Sequence, residues 1–145
     1  MDILIINGPN LNLLGLREPA IYGKASYSDL LGYLSGYSAL SGDNLFFFQS
    51  NHEGSIIDFI QENYTKASGI VINPGAFAHY SYAIYDCLLS VPIPAVEVHI
   101  SDIYSREPFR QNSVISPACI GTICGKGFSG YTEAIELLKK GSRTK

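Results

Sequence analysis

The sequence predicts a single α/β domain of the doubly wound class, with a parallel five-stranded sheet and helices on both faces. Short apolar runs that suit buried strands alternate with segments of helical periodicity. Hydrophobic residues make up 46% of the 145 residues and charged residues 16%, which is enough apolar material for a core. No internal repeat or low-complexity linker divides residues 1–145. Alternating strands and helices favour parallel pairing through right-handed crossovers, and we expect the strand order 2-1-3-4-5.

The predicted strands are apolar runs bounded by turn residues. Near-continuous apolar character over such short lengths is typical of strands buried on both faces. The predicted strands are Asp2–Asn7, Asn44–Asn51, Gly69–Asn73, Ala95–Ile100 and Ala118–Cys124.

The predicted helices follow from apolar residues at positions i, i+3, i+4 and i+7. Ser26 or Ser28 can cap the first helix, and Ser55–Asp58 resembles a capping box for the second. A short third helix is predicted from Ser81 to Leu89. The apolar positions of the other helices are Leu30, Tyr33, Leu34 and Tyr37; Ile56, Phe59, Ile60 and Tyr64; and Tyr131, Ala134, Ile135 and Leu138.

Composition argues against several classes of function. The net charge is −3, whereas nucleic-acid binding requires a basic face. No apolar run approaches the roughly 20 residues that span a bilayer, so we expect no membrane partner. The stretch MDILIING lacks a basic n-region and is too short for a signal peptide, which favours a cytoplasmic protein. The three cysteines form no CxxC and are expected to be reduced core thiols: Cys87, Cys119 and Cys124.

The first loop, INGPNLNLLGLREPAIYG, runs from Ile6 to Gly23 and is unusually long. At about 15 residues it exceeds the roughly 4–6 residues that usually connect elements. It leaves the carboxyl end of the first strand. Ligands of doubly wound sheets bind beyond the carboxyl ends, where strands one and three diverge. We therefore expect a functional lid rather than a simple connection.

Polar side chains follow the third and fourth strands at the same predicted edge. Glu97 and His99 are two residues apart on a strand, so they share a face and Glu97 can orient the His99 ring. Each such residue could be structural when taken alone, but their convergence at one edge predicts a site. The candidates are Tyr22, Asn73, His79, Glu97, His99, Arg106 and Arg110.

Two chemistries would require a cofactor or a metal at this site, namely nucleotide binding and zinc binding. Gly125–Gly130 (GKGFSG) matches G-x-G-x-x-G, the pattern of dinucleotide-binding loops. A dinucleotide site is nevertheless disfavoured, because no βαβ unit follows the match and no acidic residue stands about 20 positions later. A flavin site is also disfavoured, since NGPNLNLLG has no hydroxyl for a phosphate loop. Zinc is the second possibility, with His79, His99 and Glu97 as ligands, although their spacing has no helical HxxxH pattern.

The third chemistry is metal-free acid–base catalysis on a small anion. In this interpretation His99 is the acid–base group. Arg110, with Arg106 as a second candidate, holds a carboxylate. Tyr22 and Arg17 then carry out proton chemistry from the first loop.

Four motifs in this order resemble those of the type II 3-dehydroquinate dehydratases: NGPNLNLLGLREPAIYG, NPGAFAHYS, EVHIS and REPFRQNS. The similarity extends to the final GYTEAIELL. It implies a flavodoxin-like fold and removal of water from 3-dehydroquinate, through an enolate, to give 3-dehydroshikimate in the shikimate pathway of aromatic amino acid biosynthesis. It also implies no cofactor and no metal. The alternative is an inactive ligand-binding protein on the same fold, which the presence of Tyr22, Arg17 and His99 disfavours.

The resemblance implies five catalytic residues. Tyr22 abstracts the proton beside the ketone, and Arg17 stabilises the tyrosinate. Asn12 stabilises the enolate together with a bound water. His99 is the general acid for the departing hydroxyl, and Glu97 orients it.

The resemblance also implies substrate-binding residues, one of which reaches the site from a neighbouring subunit. That residue is Asp86, and the family assembles as trimers that form a dodecamer. The predicted helix 81–89 carries two apolar stripes, which agrees with a subunit contact. Ala78, Tyr85 and Asp102 depart from the usual residues of the family, and none is a catalytic position. The binding residues are Asn73, His79, Asp86, Ile100, Ser101 and Arg110.

Overall fold

The structure is a computed structural model that describes residues 1–16 and 18–142, with only the backbone described for Tyr22 and Ser142. The described strands form one parallel sheet in the order β2-β1-β3-β4-β5, as predicted. The strands are β1 (Asp2–Asn7), β2 (Asn44–Gln49), β3 (Gly69–Asn73), β4 (Ala95–His99) and β5 (Gly121–Cys124).

Helices cover both faces of the sheet, which confirms the doubly wound class. One core cluster joins α2 and α5 to one face, and a second joins α3 and α4 to the other. The side chains of β1 alternate between the two clusters, so this central strand is buried on both sides. The helices are α1 (Pro19–Tyr22), α2 (Tyr27–Ser41), α3 (Glu53–Asn63), α4 (Tyr82–Ser90) and α5 (Ser129–Ser142).

Side-chain caps fix the starts of two helices. The Ser26 hydroxyl accepts a hydrogen bond from the Asp29 backbone amide, and the Asp29 carboxylate accepts one from the Ser26 backbone amide, which forms a complete capping box for α2. Ser81 caps α4 by accepting from the Ile84 amide. The capping box expected at Ser55 is wrong, because α3 begins at Glu53 and Ser55 lies inside its first turn.

Three strand ends differ from the predicted bounds. β2 ends at Gln49, because Ser50 starts a turn in which its hydroxyl accepts from the His52 amide. β4 ends one residue early, at His99. β5 begins at Gly121 instead of Ala118, since Ser116–Ala118 forms a short 3₁₀ helix before the strand.

The three cysteine thiols are free, and only Cys87 is fully buried. Cys119 and Cys124 are half-buried, so the expected core position is confirmed for Cys87 alone. Burial and the nearby Glu97 carboxylate raise the pKa of Cys119 to about 12, and the same two causes together with Asp102 raise that of Cys124 to about 11. Within the described residues, no helix has both the length and the apolar character needed to cross a bilayer.

Candidate active site

A pocket lies at the carboxyl ends of β3 and β4, at the edge where the sequence predicts a site. Parallel strands bring their carboxyl ends to one edge, so residues far apart in the sequence meet there. Seven predicted site residues line the pocket: Asn73, His79, His99, Ile100, Ser101, Arg106 and Arg110.

His99 and Glu97 form a buried dyad at the end of β4. The His99 Nε2 atom lies 2.6 Å from Glu97 Oε1, and the two side chains are 6% and 0% exposed. The alternation of a strand puts both on one face, as predicted. Because Nε2 contacts the carboxylate, Nδ1 is the ring nitrogen left to act in the pocket.

Two serines complete the surroundings of the Glu97 carboxylate. Ser113 Oγ donates at 2.9 Å to Oε1 and lies 3.0 Å from Oε2, while Ser116 Oγ donates to Oε2 at 2.5 Å. Burial alone would raise the pKa of Glu97, but the hydrogen bonds from His99, Ser116 and Ser113 outweigh it and hold the pKa below its ordinary value. Glu97 therefore remains an anion beneath the His99 ring.

The two arginines of the loop after β4 are held by acidic side chains. Arg110 Nε donates to Glu107 Oε2 at 2.6 Å. Arg106 contacts Ser101 Oγ and Glu18 Oε2, each at 3.4 Å. The Arg106 side chain is 9% exposed and lines the same pocket. Both guanidinium groups thus lie at the pocket wall with polar partners.

His79 and Asn73 come from the end of β3 and the 3₁₀ helix that follows it. His79 Nδ1 lies 2.9 Å from the Asn112 carbonyl oxygen, so Nδ1 carries the proton and Nε2 is the acceptor. Asn73 is 3% exposed, and its Oδ1 accepts from the Gly75 amide at 3.2 Å. Both side chains are therefore oriented by the protein before a ligand enters.

The first loop lies against this wall through α1. A second cleft beneath Ala20 and Ile21 shares Ser101 and Arg106 with the pocket. The backbone of Tyr22 ends α1, whereas its side chain lies outside the described part of the chain, as does the whole of Arg17. The placement of α1 supports the lid hypothesis without testing either residue's role.

Asn12 is not among the residues that line the pocket. Its Oδ1 accepts from Gln49 Nε2 at 3.4 Å, which turns the amide toward the end of β2. Asn10, two residues earlier, has the left-handed backbone angle φ = 67°, and its amide donates to Asn51 Oδ1 at 2.9 Å. Non-glycine residues held in this conformation are uncommon and concentrate at functional sites, so Asn10 is a candidate that the sequence did not indicate.

Asp86 also lies away from the pocket of its own chain, as the sequence led us to expect. It is exposed on α4, whose buried stripe is Ile84, Cys87 and Leu88. Tyr82 and Leu89 belong to a second apolar stripe on α4, and their side chains are 66% and 57% exposed.

The glycine loop after β5 supports the site instead of forming a separate one. The Gly125 amide donates to the carbonyl oxygens of His99 and Ser101, at 3.2 and 3.1 Å, and the Gly127 amide donates to that of Ile100, at 3.2 Å. These two amides are therefore engaged by the segment that follows β4 and are not directed at a phosphate.

The zinc interpretation gains no support from the geometry. The structure gives no cluster of three His, Cys, Asp or Glu side chains suited to a metal ion among the residues it describes. Glu97 is bound by His99 and two serines, and His79 uses Nδ1 for a backbone carbonyl.

Comparison with known proteins agrees with this geometry. Residues 1–139 match the family described as dehydroquinase class II. The chain is 55% identical over 139 residues to a 3-dehydroquinate dehydratase of Clostridium acetobutylicum, covering 96% of each chain. It is 52% identical over 146 residues to that of Clostridium perfringens, covering all of both. The crystal structure of a type II dehydroquinase from Butyrivibrio crossotus matches with a TM-score of 0.94 and 52% identity, over 96% of this chain and 97% of that one. The chain therefore belongs to the class II dehydroquinase family.

Proposed function

We propose that this protein is a type II 3-dehydroquinate dehydratase, a hydro-lyase that converts 3-dehydroquinate into 3-dehydroshikimate in the shikimate pathway. The observation that carries the proposal is the buried Glu97–His99 dyad at a pocket that Arg110 also lines, in a chain of this family. The reaction needs a base for the proton beside the ketone and an acid for the leaving hydroxyl. It needs no cofactor, because the ketone itself stabilises the carbanion as an enolate.

His99 is the general acid of the proposed reaction. The enolate electrons return to form the carbon–carbon double bond, the carbon–oxygen bond breaks, and the leaving hydroxyl takes a proton from His99 to become water. The Glu97 carboxylate contacts His99 Nε2 and so sets which ring nitrogen faces the pocket. Its lowered pKa keeps it charged for that role.

Tyr22 is the proposed base, and Arg17 activates it. A tyrosine with a pKa of about 10 needs a shift of ~3 units to be half ionised at neutral pH, which corresponds to about 4 kcal/mol. A cation at roughly 4 Å in an effective dielectric of about 20 supplies ~4 kcal/mol. Closure of the first loop over the pocket would provide that dielectric by excluding water.

Substrate binding is assigned to the wall of the pocket. Asn73, His79 and Arg110 bind the hydroxyl groups, while Ile100 and Ser101 bind the carboxylate. The glycine loop holds the carbonyl oxygens of residues 99–101, which fixes this segment for the ligand. Arg110 must exchange part of its contact with Glu107 for the substrate.

A neighbouring subunit supplies Asp86 in the proposed assembly. The exposed apolar side chains Tyr82 and Leu89 flank this carboxylate on α4, which suits a subunit contact. We propose trimers that form a dodecamer, acting in the cytoplasm.

The enolate partner is proposed to be Asn12, with Asn10 as the competing candidate. Asn12 faces Gln49, whereas the strained backbone of Asn10 is the kind of feature found at ligand sites. Replacement of each by alanine separates them. The alanine variant of the residue that stabilises the enolate should show a kcat about 10²-fold below wild type, the usual loss for one oxyanion donor. The other alanine variant should have a kcat near that of wild type.

The function itself is tested by the absorbance of the conjugated enone that forms from 3-dehydroquinate. Purified protein should produce it at the same rate before and after dialysis against a chelator. If the absorbance does not change, the protein is instead an inactive ligand-binding protein on the same fold. A rate lost on dialysis and restored by zinc would favour the His79, His99 and Glu97 metal interpretation.

A further inference from the structure

A tyrosine on the last helix joins two strand ends beneath the pocket. Tyr131 on α5 is 0% exposed. Its hydroxyl donates to Asn7 Oδ1 at 2.6 Å and accepts from Asn73 Nδ2 at 3.0 Å. Asn7 and Asn73 are register partners at the carboxyl ends of β1 and β3, where the sheet's connections diverge. One hydroxyl therefore ties together the two strands that flank the site.

This hydroxyl determines which way the Asn73 amide points. A tyrosine hydroxyl has a single proton, and it is given to Asn7, so only a lone pair is available to Asn73. Asn73 Oδ1 accepts from the Gly75 amide at the opposite end. Reversal of the amide would break both contacts. One N–H of Asn73 remains for a ligand in the pocket that Asn73 lines.

The same network reaches both ends of the first loop. Asn7 is the last residue of β1 and Tyr27 is the first residue of α2, so the two bound the connection of residues 8–26 that includes most of the first loop. Among the residues that the structure describes, the buried Asn7 Nδ2 atom has no partner in hydrogen-bonding geometry. It is nevertheless near the Tyr27 hydroxyl: burial raises the pKa of Tyr27, and the Asn7 amide lowers it by a smaller amount. Asn7 thus links the end of β1 to Tyr131, and the Tyr27 hydroxyl at the start of α2 is its neighbour.

We infer that Tyr131 is a positioning residue, whose hydroxyl orients the Asn73 amide for the substrate and joins it to the anchors of the first loop. The inference rests on the proposed function, in which Asn73 binds a substrate hydroxyl. Tyr131 itself does not touch the ligand, because Asn73 lies between it and the pocket.

The test compares Tyr131→Phe with Tyr37→Phe. Tyr37 also uses its hydroxyl to bind α5, through Glu136 and Lys139, but these groups lie away from the pocket. Loss of one oriented donor weakens substrate and transition state alike, so Tyr131→Phe should raise KM about five- to tenfold with kcat within about twofold of wild type. Tyr37→Phe should leave both constants unchanged. A purely structural role would instead lower the active fraction and reduce the apparent kcat at unchanged KM, and that result would overturn the inference.

A double variant and a crystal structure give independent readouts. Asn73→Ala should raise KM, and adding Tyr131→Phe should raise it no further, because the hydroxyl acts through Asn73. Additive effects would refute the inference. Turnover by the wild type decides the proposed function separately, since the position of the Asn73 side chain in a Tyr131→Phe crystal structure, with its amide assigned from its hydrogen-bond partners, can be determined with or without activity. An Asn73 amide in its original place would contradict the inference.

Should Tyr131→Phe not fold, a second variant tests the same network. Asn7→Ala removes the acceptor of the Tyr131 hydroxyl and should also raise KM. An unchanged KM would overturn the inference.

Discussion

The two sides of the candidate site are held in very different ways. On the sheet side, Glu97 and His99 are nearly inaccessible to solvent, and the carboxylate accepts from three side chains. On the loop side, Leu16 is 83% exposed, and Glu18 has the left-handed angle φ = 38°. One contact that ties this loop to the wall is the 3.4 Å pair between Glu18 and Arg106.

This difference suggests how the protein divides its chemistry. The proposed acid is preassembled on rigid strands, where its geometry needs no ligand. The proposed base lies on the loop, where a tyrosinate would become stable only when the loop excludes water. In the proposed mechanism, a reactive base would exist only in the closed, substrate-bound state.

Removal of the base should have the largest effect. Tyr22→Phe deletes only the phenol oxygen, so we expect kcat to fall by at least about 10²-fold with little change in substrate affinity. Steady-state kinetics would measure this, with Tyr33→Phe as control because that hydroxyl contacts Thr132 on the surface. Retention of more than about a tenth of the wild-type kcat, a deficit below ~1.4 kcal/mol, would exclude Tyr22 as the base. Arg17→Ala should also lower kcat and move the acidic limb of the pH profile, which reports ionisation of the base, to higher pH.

On the sheet side of the site, Glu97→Gln tests whether the charge of Glu97 supports His99 as the general acid. The variant keeps the size of the side chain but removes the charge beneath His99, and we expect kcat to fall by about 10²-fold with KM nearly constant. Glu133→Gln is the matched control, since that carboxylate pairs with Lys126 on the surface. A wild-type kcat in the Glu97 variant would remove Glu97 from the mechanism.

The same variant should change stability in acid. The folded pKa of Glu97 is lowered, so the unfolded chain takes up this proton more readily as the pH falls. The contribution of the Glu97 carboxylate to the free energy of unfolding is complete above the ordinary carboxyl pKa. It is lost as the pH falls through the pKa of Glu97 in the folded protein. Denaturant titrations should therefore show wild type losing stability more steeply than Glu97→Gln over that range. Parallel curves would contradict the depressed pKa.

Substitution of Asp86 should have an intermediate effect on turnover, because this residue is proposed to enter the site from a neighbouring subunit. Asp86→Ala should lower turnover about tenfold, the scale of one lost charged hydrogen bond. Mixing refolded Asp86→Ala chains with Tyr22→Phe chains should restore part of the activity, because some hybrid sites receive both intact residues. No recovery in the mixture, or an active monomer in sedimentation at assay concentration, would refute the shared site.

The smallest effect should come from the contact between loop and wall. Glu18→Gln weakens a pair whose acid is 52% exposed, and such pairs contribute about 0–1 kcal/mol. We expect KM to rise by no more than about fivefold, and the difference from wild type to shrink at high salt because the charges are screened. A large loss of kcat would mean that the loop is held far more tightly than its exposure suggests.

The sequence predicted most accurately the parts of the fold that are governed by burial. β1 and β3 have their predicted bounds because central strands are apolar on both faces, and Glu97 meets His99 because strand alternation requires it. Ser116 was missed, since its bond to Glu97 crosses 19 residues and depends on the path of an irregular loop. Loop geometry likewise placed Asn12 toward Gln49, which no periodicity could reveal.

The buried carboxylate of Glu97 also constrains any attempt to redesign this enzyme. A library that randomises His99 alone would leave a desolvated anion with two serine donors, and loss of one partner from a buried pair costs about 3–5 kcal/mol. Most members would fail through instability before their chemistry could be assayed. Positions 97, 99, 113 and 116 should therefore be randomised together. Variants that accept a new leaving group are best selected from libraries that begin with a neutral residue at position 97.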